Sequence, residues 1–132
     1  MSTLTPPEET GLRAVVAEDE TLIRLDLVEV LTGAGYRVVA EAGDGRAAVE
    51  AVREHRPDIV VMDVMMPVMD GLTATREIRG DPRWASLPVI ALTAKAMPDD
   101  QARCISAGAN DYMAKPLDVD KLLSLVRVWM PR

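Results

Sequence analysis

The sequence predicts a doubly wound α/β fold, a parallel five-stranded sheet with five helices covering both faces, and three observations carry that prediction. Short apolar runs alternate five times with segments of helical periodicity, the pattern of successive βα units. The run Ile59-Val60-Val61-Met62, set between Pro57 and the later Pro67 and Gly71, is continuously apolar and rich in β-branched residues. Such a run suits a strand buried on both faces. Four of the five runs end abruptly in polar residues: Glu18-Asp19, Asp63, Thr93 and Lys115.

Residues 1–11 hold two prolines, two glutamates and several hydroxyl residues with little to bury, and are expected to form a disordered tail before one folded domain over 12–132. Leu12 to Ala17 is the first strand. Thr21 to Ala34 carries Leu22, Ile23, Leu25, Leu27, Val28, Val30 and Leu31 at mostly helical spacing, and Gly33 and Gly35 stop it. Tyr36 to Ala40 is the second strand. Asp44 caps a helix running through Glu54, with Ala47, Ala48, Val49 and Val52 along its inner face. The third strand is Ile59 to Met62 with Asp63 at its end, and a loop leads to a helix from about Leu72 to Arg79, broken by Gly80-Asp81-Pro82. Leu87 to Leu92 is the fourth strand, terminating in Thr93. Met97 to Ala107 is a short helix with Pro98 in its first turn and Gly108 at its end. Asp111 to Ala114 forms a brief fifth strand, and Val119 to Met130 a last helix with Leu122, Leu123, Val126 and Trp129 near one face. Right-handed crossovers leave few topologies for this order, and the flavodoxin-like arrangement 2-1-3-4-5 is the common one at this size.

Composition narrows the function. The chain has 132 residues, 48% hydrophobic and 27% charged, which is globular rather than disordered. A net charge of -6 argues against direct nucleic-acid binding, which would show a basic stripe. The single cysteine, Cys104, excludes an intramolecular disulfide and a cysteine-rich metal site. No apolar run approaches membrane-spanning length and the N-terminus lacks a signal-peptide core, so a cytoplasmic location without membrane attachment is expected.

In a parallel sheet the carboxyl ends of all strands lie on one edge, so Glu18, Asp19, Asp63, Thr93 and Lys115 are expected to share one cleft. Carboxylates packed together need a cation or a proton between them. Oxygen donors without histidine or cysteine favour magnesium, and manganese is compatible with the same donors. An ammonium from Lys115 and a hydroxyl from Thr93 suit phosphoryl oxygens, which makes Asp63 a candidate nucleophile for phosphoryl transfer through an acyl phosphate.

At these residues the chain resembles the receiver domain of two-component response regulators, over roughly residues 12–130. The resemblance rests on Glu18-Asp19, on MDVMMPVMDG around Asp63, on ALTA ending at residue 94, and on DYMAKP ending at Pro116. It implies a cytoplasmic phosphorylation switch of a bacterial two-component or phosphorelay system, catalysing only its own phosphorylation and dephosphorylation. Asp63 is then the phosphoacceptor, served by a histidine kinase or a histidine phosphotransfer protein. Asp19 and Asp63 would ligate magnesium directly, Glu18 through water, and Met65 through its backbone carbonyl. Thr93 and Lys115 would grip the phosphoryl group, Tyr112 would turn inward with Thr93, and the Lys115-Pro116 bond would be cis. The output would be a protein bound on the face of the fourth helix, fifth strand and fifth helix, with phosphorylation-dependent dimerisation left open.

Two departures stand out. Glu18 occupies a position where Asp is commoner, and Met65 places an apolar side chain beside the phosphoryl site, which predicts slow self-dephosphorylation. AEDETLIRLDLVEVL and AGDGRAAVEA are similar to receivers joined to an RNA-binding antiterminator helix module, which would need a helical segment after the last helix. ALTAKAMPDD and ANDYMAKPLDVDKLLSLV are similar to receivers of hybrid histidine kinases or stand-alone ones. The rival readings are a small magnesium phosphohydrolase with an Asp nucleophile, a nucleotide-binding protein, and a scaffold receiver that is never phosphorylated. The first lacks a general acid at Val64 or Met65 and a cap, and the second lacks GxxxxGK and GxGxxG. Intact Asp19, Asp63, Thr93 and Lys115 count against the third. His55, at a helix end before Pro57, suits the helix dipole and is not expected to be a phosphotransfer histidine. The methionines at 62, 65, 66 and 69 are expected to fill core and loop, because thioether ligands suit soft metals.

Overall fold

The structure, a computed structural model, describes residues 11–94 and 98–130. Almost all of the expected tail, and Met97 as the start of the fourth helix, lie outside the described residues. The elements follow in the order β1 (Arg13–Ala17), α1 (Thr21–Gly33), β2 (Arg37–Ala42), α2 (Gly45–His55), β3 (Ile59–Asp63), α3 (Gly71–Gly80), a 3-10 turn (Pro82–Trp84), β4 (Val89–Thr93), α4 (Pro98–Ala107), β5 (Asp111–Ala114) and α5 (Val119–Trp129). The strands form one parallel sheet in the order β2-β1-β3-β4-β5. The predicted flavodoxin-like topology is therefore the observed one.

Alternation along the strands divides the core into two layers. Val15, Ala17, Val60 and Met62 face α2, α3 and α4, where they pack with Ala48, Val52, Ile78 and Cys104. Ala14, Val16, Ile59 and Val61 face α1 and α5, against Leu27, Leu31, Leu122 and Val126. Every residue of β3 and β4 is buried, as a strand between two helical layers must be. Aspartates cap three helices at their N-termini: Asp44, Asp70 and Asp118 accept from the N–H groups of Ala47, Thr73 and Lys121.

Three local differences from the predicted elements have simple causes. β2 runs two residues further than its apolar pattern, because Ala42 pairs with Ala17 and so matches the full length of β1. Tyr36 is drawn out of the strand by its N–H, which donates to the Leu31 carbonyl at 3.1 Å. On α1 the apolar pattern is wider than the buried face, and Leu22 and Leu25 stand 77% and 51% exposed.

Candidate functional site

The strand ends converge as the topology requires. Glu18 directly follows β1, and its N–H extends the ladder to the Ala42 carbonyl at 2.9 Å. Asp63 and Thr93 are the last residues of β3 and β4, and Lys115 follows β5 with its N–H on the Thr93 carbonyl at 2.8 Å. Regular pairing thus carries each side chain to the same edge before the chain turns away. The loop after β3 is folded back over this edge. The Gly71 N–H donates to the Val64 carbonyl at 2.9 Å, and a Cβ at Gly71 would lie 2.0 Å from the Asp63 carbonyl oxygen. Gly45 makes the second close approach, its N–H on the Met69 carbonyl at 2.9 Å. Only glycine fits at either point.

Glu18, Asp19 and Asp63 each offer an oxygen such that all three lie within 4.8 Å of one another. Glu18 and Asp63 are buried, while Asp19 is exposed. Lys115 Nζ bridges the two buried carboxylates, 2.9 Å from Glu18 Oε1 and 3.3 Å from Asp63 Oδ1, with Glu20 Oε1 at 4.0 Å. Glu18 Oε2 accepts from the Glu20 N–H at 3.0 Å, and Asp63 Oδ1 accepts from the Met65 N–H at 3.3 Å. Asp63 Oδ2 is buried with no hydrogen-bond partner. A buried carboxylate oxygen left in this way is costly, and a divalent cation beside Asp19 would remove that cost. The donor set is all oxygen, as magnesium prefers. The residues present therefore fit a magnesium ion.

Burial is the main reason the Asp63 pKa rises from 3.8 to about 7; the Glu18 carboxylate adds to the rise and Lys115 opposes it. Burial alone would lower the Lys115 pKa, but Glu18 and Asp63 outweigh it and hold the ammonium above its ordinary value. With three carboxylates against one ammonium, the pocket is an acid-rich site two formal positive charges short of balance.

Thr93 is buried, and it lines a small cavity of about 180 Å³ with Met65, Leu72 and Cys104. Tyr112 is half-buried on β5 and packs against the layer that contains α4. The Lys115-Pro116 bond is cis. Met65 is 68% exposed at the rim. Outside the site, Met62 and Met66 are core residues and Cys104 is buried, whereas His55 contributes its carbonyl to the Arg13 guanidinium. One neighbour was not singled out by the sequence: Arg24 of α1 donates to the Glu18 carbonyl at 2.8 Å and pairs with Glu41 at 3.3 Å. An arginine on an exposed helical turn carries no signal of that contact.

Comparison with known proteins agrees with this geometry. Residues 14–127 match the family model for the response regulator receiver domain. The chain is 44% identical over 120 residues to the transcriptional regulatory protein PdtaR of Mycobacterium tuberculosis, covering 91% of this chain but only 57% of that protein. It is 37% identical over 114 residues to the chemotaxis protein CheY of Bacillus subtilis, covering 86% and 93% of the two chains. Its structure superposes with a TM-score of 0.83 and 38% identity on the receiver domain of sensor histidine kinase PA1611 from Pseudomonas aeruginosa, across 91% of this chain and 98% of that one. That domain was solved with a magnesium ion coordinated in the active site cleft. With five parallel strands in the order 2-1-3-4-5 and an acidic pocket of Glu18, Asp19 and Asp63 at their carboxyl edge, the chain belongs to the response regulator receiver domain family of two-component signalling.

Proposed function

We propose that this receiver is a phosphorylation-controlled switch in which Asp63 accepts a phosphoryl group from a phosphohistidine donor in a magnesium-dependent reaction. The observation that carries this is buried Asp63, whose Oδ2 has no hydrogen-bond partner and whose carboxylate clusters with Glu18 and Asp19 while its Oδ1 lies 3.3 Å from Lys115 Nζ. Asp19 and Asp63 would hold the metal directly, Glu18 through water, and the main chain at Met65, already hydrogen-bonded to Asp63, would add its carbonyl. Bound there, magnesium supplies positive charge to the phosphoryl oxygens. One carboxylate oxygen of Asp63 attacks phosphorus, the P–N bond to the donor imidazole breaks, and its electron pair returns to the ring. Lys115 passes from the carboxylates to one phosphoryl oxygen, and the Thr93 hydroxyl donates to another.

The donor is a histidine kinase or a histidine phosphotransfer protein. Movement of Thr93 toward the phosphoryl group opens room for Tyr112, on the neighbouring strand, to turn inward. The surface of α4, β5 and α5 then changes, and a downstream protein reads it. The decisive experiment is intact mass after incubation with magnesium and acetyl phosphate, beside Asp63→Asn. One phosphoryl adduct on the wild type alone, abolished by a chelator, is expected. An adduct that persists in Asp63→Asn would refute the assignment, and none at all despite magnesium binding would favour a scaffold receiver or one that accepts a phosphoryl group only from its own kinase.

A further inference from the structure

We propose that Arg24 is a positioning residue for the acidic pocket, fixing the main chain that carries Glu18 and Asp19 and thereby setting how tightly a divalent cation is held. The proposal rests on the magnesium-dependent function above and extends it to a side chain outside the pocket. Arg24 Nη1 donates to the Glu18 carbonyl at 2.8 Å, while Nε faces Glu41 Oε1 on β2 at 3.3 Å. On the other side of the same residue, the Glu18 N–H is held by the Ala42 carbonyl at 2.9 Å. Both peptide groups of Glu18 are therefore pinned, and so is the direction in which Asp19 leaves the strand.

Another tie at the start of α1, the Glu20 N–H on Glu18 Oε2 at 3.0 Å, holds the Glu18 side chain and not its carbonyl. The N-cap residue of α1, Glu20, makes no side-chain cap hydrogen bond, whereas the residues that cap α2, α3 and α5 all do. Asp19, next along the chain from Glu18, is exposed. Without Arg24 the Glu18 carbonyl loses its donor, and ordering Asp19 becomes a cost that the cation must meet on binding. The Arg24 and Glu41 side chains are 23% and 44% exposed, so their ion pair is screened by solvent. The weight falls on the hydrogen bond to the carbonyl, with Glu41 aiming the guanidinium.

The test is calorimetric titration of magnesium into the wild type and R24Q, R24K and E41Q, with thermal melts of each in chelator. R24Q is expected to weaken magnesium binding by ~10-fold or more, the range for groups that orient metal ligands. R24K should recover part of the loss, since an ammonium reaches one partner but not both, and E41Q should change affinity least. A merely structural arginine would lower the melting temperature and leave affinity unchanged, and that result for R24Q overturns the proposal. Should R24Q fail to fold, R24K decides by the same criterion. Wild type that binds no magnesium and gains no phosphoryl adduct sinks the parent function and this proposal together. Magnesium binding by the wild type with unaltered affinity in the arginine variants sinks this proposal alone.

Discussion

Asp63 is 1% exposed, its carboxyl pushed up to about 7 chiefly by burial. A raised carboxyl pKa means that the folded state binds a proton more tightly than the unfolded chain does. Metal-free stability should therefore fall as pH rises from 3.8 through about 7, where the folded protein begins to give that proton up. Magnesium competes with the same proton, so it should raise the melting temperature more at pH 8 than at pH 5. Equal stabilisation at both would place the metal away from Asp63. At the rim, Met65 offers no polar group to position a water molecule near the phosphoryl site. Slow loss of the phosphoryl group is expected, quickened by Met65→Asn. Chase of phosphorylated protein by intact mass checks this, and a wild-type half-life of seconds would contradict it.

The element that shapes the site is the loop between β3 and α3. It is held by backbone bonds from Gly71 to Val64 and from Gly45 to Met69, at points where no Cβ fits. Gly71→Ala should cost about 1–3 kcal/mol or more, the range for overpacking against an unyielding backbone. Because the clash is with the Asp63 carbonyl, acetyl-phosphate labelling should fall as well. Within the same loop Val68 has a φ of +66° and the Met69 N–H bonds back to the Pro67 carbonyl, a three-residue turn. A β-branched residue is strained there, and its side chain is 83% exposed, so little packing offsets the strain. Val68→Asn should stabilise the protein by about 1 kcal/mol in urea unfolding. A loss of stability would mean that the Val68 side chain contributes more than its exposure indicates.

Across the whole molecule, chemistry and anchorage lie at opposite edges of the sheet. The carboxyl edge collects the acidic pocket. At the amino edge Arg79 donates to the carbonyls of Gly108 and Trp84 and to Asn110 Oδ1, which also accepts from the Val89 N–H at the start of β4. Gly108, at a φ of +108°, leaves the space through which the arginine passes. One side chain thus ties α3, the 3-10 turn and the approach to β5 together. Arg79→Ala should lower stability by about 1–3 kcal/mol, since it removes three hydrogen bonds and the arginine donor of the Gly108 carbonyl, while the purified folded variant still takes one phosphoryl group. Loss of labelling in that folded variant would show that the two edges are coupled. Among the described residues no helix is long and apolar enough to cross a membrane.

Layer order, strand topology and the carboxylates, ammonium and hydroxyl at the strand ends were all legible in the residue pattern. Those follow from periodicity, from turn residues such as Gly71 and Pro57, and from the rule that parallel strands end on one edge. Boundaries were legible where a cap marks them, as at Asp44, and blurred where long-range pairing sets them, as at Ala42. That Glu18 is buried and paired with Lys115, that Asp63 Oδ2 is left without a hydrogen-bond partner, and that Arg24 grips the Glu18 carbonyl emerged only from the packed fold. Each of these depends on side-chain reach across elements far apart in the chain. Local patterns record which face a residue occupies, whereas the partner it meets there is set by how the strands and helices pack.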